Sequence, residues 1–189
     1  MPISLIIGGA RSGKSSYGEK LAASISENVG YVATAQAFDE EMQARIAAHR
    51  KNRPQNWVTY EEPISISDIL ASNQHKHDVF LIDCLTLLIT NILLKGLNID
   101  NLSTSNQQEK EKEVLVELGK VVSFSKVFPP EIIIVTNEIG LGIVPANNLS
   151  RVYRDIAGRA NQFMAENARR VIFTCAGIPL QIKPTLERL

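Results

Sequence analysis

The sequence predicts an α/β protein with a largely parallel sheet flanked by helices. Three observations carry that expectation. Short apolar runs rich in Ile and Val recur along the chain, among them "ISLII", "VFLID" and "EIIIV", and strands covered on both faces read this way. Segments with helical length and patterning separate those runs, as a βαβ order requires. No internal repeat and no linker-like stretch divides the 189 residues. A single domain over 1–189 is therefore expected, long enough to bury about two thirds of its unfolded surface.

Each element follows in order. Residues 3–7 read as a short buried strand, then come a glycine-rich loop and a helix from about Ser15 to Ser26. "GYVATA" (30–35) is a second strand. "DEEMQARIAAHRKNR" (39–53) is a helix with acidic residues in its first turn and basic ones in its last, as the helix dipole favours, and Pro54 marks its end. "WVTYEE" (57–62) is a short extended piece, and a polar helix lies near 65–74. "DVFLIDC" (78–84) is a further buried strand, with "LTLLITNILLK" an apolar helix after it. Residues 96–108, rich in Asn, Ser and Gln, read as a loop, and a helix over about 107–126 follows. "EIIIVTNE" (131–138) is a strand and "NLSRVYRDIAGRANQFMAENA" (148–168) a long helix. "RVIFTCAG" and "IPLQIKP" close the chain as strands.

Composition narrows the function classes. Twenty basic residues balance twenty acidic ones. That argues against a broad nucleic-acid or membrane surface, which needs uncompensated Lys and Arg, yet leaves room for a local basic pocket. No membrane span is expected, because "CLTLLITNILL" is too short to cross a bilayer. The start "MPISLIIGGARSGK" lacks a basic leader region, so a cytoplasmic location is expected. Cys84 and Cys175 each lie in an apolar stretch and read as buried, reduced thiols.

Residues 8–15, "GGARSGKS", match G-x-x-x-x-G-K-[ST] through Gly8, Gly13, Lys14 and Ser15. Gly9 adds to the bend, and Ala10, Arg11 and Ser12 complete the loop. The match gains weight from its place between a predicted strand and a predicted helix. Glycines let backbone N–H groups turn onto phosphates, and the helix N-terminus adds partial positive charge. The fold expectation sharpens to a P-loop NTPase with a mostly parallel, RecA-like sheet. Lys14 is expected to reach the β- and γ-phosphates and Ser15 to ligate Mg²⁺. Asp83, ending "VFLID", is the second metal candidate, with a helix cap as its plain alternative. Glu138 ends a strand in similar fashion. The N-K-x-D signature of guanine-specific switches is missing; "TNEIG" stands in its place.

On a helical wheel His49 falls beside Met42 and Ile46, flanked by Arg45 and Arg53. Neutral imidazole is a competent nucleophile toward phosphorus, and guanidinium groups suit phosphate. A covalent nucleotidyl-histidine is thus open to this helix, alongside a packing or surface role for His49.

"GGARSGKSSYGE", "YVATA", "DEEMQARIAAHRKNRP", "WVTYE" and "VTNEIGLGIVPANNLSRVYRDIAGRANQ" together resemble the bifunctional adenosylcobinamide kinase / adenosylcobinamide-phosphate guanylyltransferase family of cobalamin biosynthesis. The likeness runs essentially end to end; only the region near 96–112 lacks a match. It implies phosphorylation of adenosylcobinamide by ATP or GTP, then transfer of GMP from GTP to adenosylcobinamide phosphate, giving adenosyl-GDP-cobinamide. It implies that the guanylyl group passes through the histidine of R-I-x-x-H, which stands here as Arg45 to His49. Nucleotide contacts carry over to the 8–15 loop, to Ala33, Thr34 and Ala35, to Arg50, Lys51, Asn52 and Arg53, and to Glu61 and Asp83. Arg45, Arg50 and Arg53 become candidates for charge at the α-phosphorus. The 137–140 turn and the Arg154–Asp155 pair become candidate pocket residues. A homo-oligomer is implied as well. A monofunctional P-loop kinase of a small alcohol, and a nucleotide-dependent switch or nucleic-acid module, are the competing readings; the balanced charge disfavours the last.

Overall fold

The computed structural model describes residues 2–37, 39–96 and 103–184, with the side chains of Glu41, Arg45 and Asn52 outside the described set. The elements along the chain are β1 (Ile3–Gly8), α1 (Lys14–Ile25), β2 (Val29–Ala33), α2 (Glu40–Asn52), β3 (Val58–Glu61), α3 (Ile66–Ser72) and β4 (Val79–Asp83). They continue as α4 (Leu85–Leu94), α5 (Thr104–Val127), β5 (Glu131–Asn137), α6 (Asn148–Asn167), β6 (Arg170–Cys175) and β7 (Ile178–Lys183). The strands form one sheet in the order β3-β2-β4-β5-β1-β6-β7. All neighbours pair in parallel except β6 and β7, which are antiparallel. The expected mostly parallel α/β architecture is what the chain adopts.

Period-two alternation divides the core between the two faces of the sheet. Ile3, Leu5 and Ile7 of β1 join Ile132 and Ile134 of β5 in a cluster with Leu88, Leu118 and Ile156 of the helices α4, α5 and α6. Ile6, Ile133 and Val135 point the other way, toward Ala22 of α1, Tyr31 and Trp57. Gly18 lets α1 lie close on this face, since a Cβ there would meet Val135 at 3.1 Å and Leu81 at 3.3 Å. At the β3 edge, His77 shares one hydrogen bond with the Tyr60 hydroxyl (2.7 Å) and another with Asn28 Oδ1 (3.0 Å). Burial pushes the imidazole below its ordinary range, so it holds these contacts uncharged.

Three local expectations need correction. The loop expected over 96–108 ends by Ser103, whose hydroxyl accepts from Asn106 N (3.3 Å) and caps α5. The polar residues after it are the solvent-facing first turns of a long helix; residues 97–102 lie outside the described set. Cys175 is exposed at the β6–β7 turn, whereas Cys84 is buried. The strand expected over 131–138 stops at Asn137, leaving Glu138 in the turn beyond it. Among the described residues no helix is long and apolar enough to cross a membrane.

The topology fixes where a ligand can sit. β5 lies between β1 and β4, so the C-terminal ends of all three open at one edge of the sheet. Register pairs Gly8 with Asn137, Ala33 with Asp83, and Ala33 with Glu61. Open parallel sheets bind ligands beyond the carboxyl ends of their strands.

Candidate active site

The loop after β1 is held in shape from the far edge of the sheet. A Cβ on Gly8 would approach Thr174 Oγ1 to 2.4 Å, so only glycine fits beneath β6. Gly13 sits at φ 92°, a left-handed conformation, and begins α1. Gly177 N donates to Ser12 O (2.9 Å), and the Ser12 and Thr174 hydroxyls share a hydrogen bond of 2.9 Å. Lys14 Nζ donates to Gly9 O at 3.0 Å and so lies across the loop. The result is a concave backbone at a helix N-terminus, the arrangement that binds phosphate.

Above it opens a cavity of about 360 Å³. Ala10, Arg11, Lys14 and Ser15 form one wall, Ala33, Ala35 and Asp83 the floor, and His49, Arg50 and Arg53 of the α2 end the facing wall. Glu61 closes one side and makes an ion pair with Arg50. The chain thus brings its two separate candidate motifs to one cavity. α2 takes this path because Asp39 caps its start, accepting from Met42 N at 2.7 Å, and Pro54 follows Arg53, the residue that caps its C-terminal end.

The remaining predicted residues take other positions. Gly8, Gly9, Ser12 and Gly13 shape the loop without lining the cavity. Thr34 is fully buried: its hydroxyl donates to Cys84 O (2.7 Å) and accepts from Cys84 N (2.8 Å), tying β2 to the turn after Asp83. Lys51 lines a neighbouring groove of about 730 Å³, which shares Arg50, Arg53 and Glu61 with the first cavity. The side chains of Arg45 and Asn52 lie outside the described residues. Arg154 and Asp155 pair with each other on α6 (3.9 Å) and line neither space. Glu138 spends its Oε1 on Gly140 N (2.7 Å).

Tyr31, Cys84, Leu87 and Asn137 also line the cavity, with Met42 and Ile46 supplying its apolar side. Tyr31 couples two charged groups. Its hydroxyl donates to Asp83 Oδ2 at 2.7 Å, and the Arg53 guanidinium stacks 3.5 Å from its ring centroid. Burial, and then the Asp83 charge, push the phenol above its ordinary range, so it remains a donor at any physiological pH. Burial and Asp83 likewise push the Cys84 thiol up to about 11, which removes it as a nucleophile near neutrality. Glu19 on α1 is raised for the same two reasons, burial first and Asp83 second.

Ser15 Oγ donates to Asp83 Oδ1 at 3.5 Å, bringing two hard oxygen ligands together. Among the described residues no cluster of three or more His, Cys, Asp or Glu could cage a metal. The donor set fits magnesium, which binds through few protein oxygens and completes its shell with water and substrate phosphate.

Two buried side-chain atoms lack a hydrogen-bond partner among the described residues: Arg53 Nε, a donor, and Asn137 Oδ1, an acceptor. Both residues line this cavity. Buried polar atoms are otherwise almost always paired, so these two stand out among the residues of the cavity wall.

A family model described as cobinamide kinase / cobinamide phosphate guanyltransferase matches residues 4–182. The chain belongs to that family. It is 46% identical over 180 residues to the bifunctional adenosylcobalamin biosynthesis protein CobP of Pseudomonas aeruginosa, covering 95% of this chain and 96% of the relative. It is 37% identical to the bifunctional adenosylcobalamin biosynthesis protein CobU of Escherichia coli, covering 95% of this chain and 98% of the relative. The CobU of Salmonella typhimurium is 36% identical over the same share. Membership spans both halves of the cavity, since the P-loop, α2, β4 and β5 all fall within the matched residues.

Proposed function

We propose that this chain performs both family reactions at the one cavity, with His49 as the covalent carrier of GMP. In the first, the γ-phosphoryl group of ATP or GTP passes to the aminopropanol hydroxyl of adenosylcobinamide. In the second, an imidazole nitrogen of His49 attacks the α-phosphorus of GTP. The bond to pyrophosphate breaks, and the enzyme carries GMP as a phosphoramidate. A phosphate oxygen of adenosylcobinamide phosphate then attacks that phosphorus, releasing adenosyl-GDP-cobinamide and free His49. The observation that supports this most is the meeting of His49 with Lys14, Ser15 and Asp83 around one space.

The other side chains divide the work. Loop N–H groups and Lys14 hold the β- and γ-phosphates, leaving the α-phosphorus toward α2. Arg53 Nε, a buried donor, suits an α-phosphate oxygen, and Tyr31 keeps its guanidinium flat. Arg50 is anchored by Glu61 beside it. A magnesium ion held by Ser15 and Asp83 would neutralise charge on the triphosphate. Burial holds the Cys84 thiol above its ordinary range and Tyr31 is bonded to Asp83, so neither competes with the His49 imidazole.

Product analysis tests the reading. Adenosylcobinamide with GTP should yield first the phosphate and then the GDP adduct with pyrophosphate. A monofunctional kinase would stop at the phosphate. Tyr31→Phe keeps the ring under Arg53 but removes the donor to Asp83. Losing a hydrogen bond to a charged group should lower both rates about tenfold and raise the magnesium concentration needed for half-maximal rate. An unchanged magnesium profile would detach Tyr31 from the site.

A second copy of the chain is the partner this reading gives to the apolar surface. Ile178, Leu180 and Ile182 share one face of β7 and are 69%, 61% and 48% exposed. Leu141 and Ile143, in the loop after β5, are 81% and 96% exposed, and apolar patches of this kind mark interfaces. Light scattering should give a multiple of the chain mass, reduced by Leu180→Lys; a monomeric wild type would contradict it. The same reading puts the enzyme in the cytoplasm, in keeping with two unpaired cysteines.

A further inference from the structure

Asn137 ends β5, the strand between the P-loop strand and the Asp83 strand. Its backbone is clamped on both sides by buried side chains. Its N–H donates to Thr86 Oγ1 (2.8 Å), and its C=O accepts from Asn161 Nδ2 (3.0 Å). Asn161 Oδ1 in turn accepts from the Thr136 hydroxyl at 2.8 Å, so α6 reads two successive residues of the strand end. Thr86 and Asn161 are 7% and 5% exposed. This polar network holds the strand end in one orientation, and the side chain it presents lines the cavity.

That side chain ends in the buried Oδ1 without a partner among the described residues. An amide oxygen only accepts hydrogen bonds. Triphosphate oxygens at neutral pH also only accept, so the nucleotide phosphates do not satisfy it. The kinase reaction does bring a donor to the phosphate end of the cavity: the hydroxyl of the alcohol to be phosphorylated. We infer that Asn137 orients the acceptor alcohol, its Oδ1 accepting the hydrogen bond from the hydroxyl whose oxygen attacks the γ-phosphorus. The new bond joins that oxygen to phosphorus, the bond to the β–γ bridging oxygen breaks, and the hydroxyl proton is released to water. Asn137 aligns the oxygen and takes no proton. It has no part in the attack of His49 on the α-phosphorus, which involves no alcohol.

The inference rests on the proposed kinase activity, and its test separates the two. Wild type, Asn137→Ala and Asn137→Asp are compared in phosphorylation of adenosylcobinamide, in formation of protein-bound GMP from GTP alone, and in thermal melting. Asn137→Ala should lose about tenfold in kcat/KM for the alcohol, the size of one hydrogen bond. Its rate of GMP attachment should fall by less than its kcat/KM for the alcohol, because no alcohol takes part in that step. Its melting temperature should be no lower, because an unpaired buried polar atom has been removed. Asn137→Asp, which keeps an acceptor oxygen, should retain the KM for the alcohol while kcat falls from the charge placed near the triphosphate. Unchanged alcohol kinetics in Asn137→Ala, an equal loss of GMP attachment, or a lower melting temperature would overturn the inference. So would a shift confined to the magnesium requirement, which would assign Oδ1 to a metal-bound water. A wild type that phosphorylates no alcohol would instead sink the kinase reading itself.

Discussion

Replacing His49 with alanine is expected to abolish nucleotidyl transfer while leaving phosphorylation of adenosylcobinamide close to wild type. The kinase step uses the P-loop, Asp83 and the acceptor hydroxyl, none of which touches the end of α2 in the proposed mechanism. The guanylyl step passes through the imidazole, and loss of a covalent nucleophile lowers such rates by at least about 10³-fold. Phosphorylation should remain within about threefold. Folding should be unaffected, because His49 is exposed in the last turn of α2 and surface substitutions of this kind change stability by about 0.5 kcal/mol or less. Separate quantification of adenosylcobinamide phosphate and adenosyl-GDP-cobinamide reads both effects in one reaction. Parallel loss of both products would mean that His49 serves binding and not covalent transfer.

Lys14 should behave in the opposite way, with both reactions failing together. Its ammonium lies against the loop at Gly9 O, 9% exposed, where it can meet the triphosphate used in either step. Removing one such preorganised charge costs about 10²–10³-fold in rate. Lys14→Met is the cleaner variant because it keeps the apolar stem in its packing. Initial rates of both products should fall by similar factors, and the capacity to form protein-bound GMP should fall with them. If Lys14→Met spared either reaction, two nucleotide sites would be needed in place of one.

The contrast between these two residues reflects what a sequence makes legible. Lys14, Ser15 and His49 stand in short motifs whose spacing follows from a loop or a helical turn, so local pattern finds them. The strands are equally plain, since "ISLII" and "EIIIV" must be buried on both faces. Tyr31 is different: within "GYVATA" it reads as one more core residue. Its role arises only because Ala33 of β2 pairs with Asp83 of β4 and Arg53 folds back over the ring. Asn137 stands in the 137–140 turn that the resemblance offers as a pocket candidate, but the unpaired Oδ1 and the clamp from Thr86 and Asn161 come from three elements distant in sequence. Thr34 shows the converse. Its neighbours Ala33 and Ala35 line the cavity while its own hydroxyl is consumed by Cys84, and strand alternation at the end of β2 hides that division. The start of α5 reads as a loop because a solvent-facing helical turn and a loop share the same polar residues; the cap at Ser103 is the local sign that separates them.

In the proposed mechanism one cavity holds the triphosphate by its loop and breaks it at the α-phosphorus with His49. The most direct measurement is the intact mass of the protein after incubation with GTP and magnesium in the absence of corrinoid, followed by peptide mapping. The expected result is a gain of one GMP per chain, on the peptide containing His49, labile to acid, stable to base and discharged by adenosylcobinamide phosphate. A chain that gains no mass, or a GMP adduct that persists in His49→Ala, would contradict it.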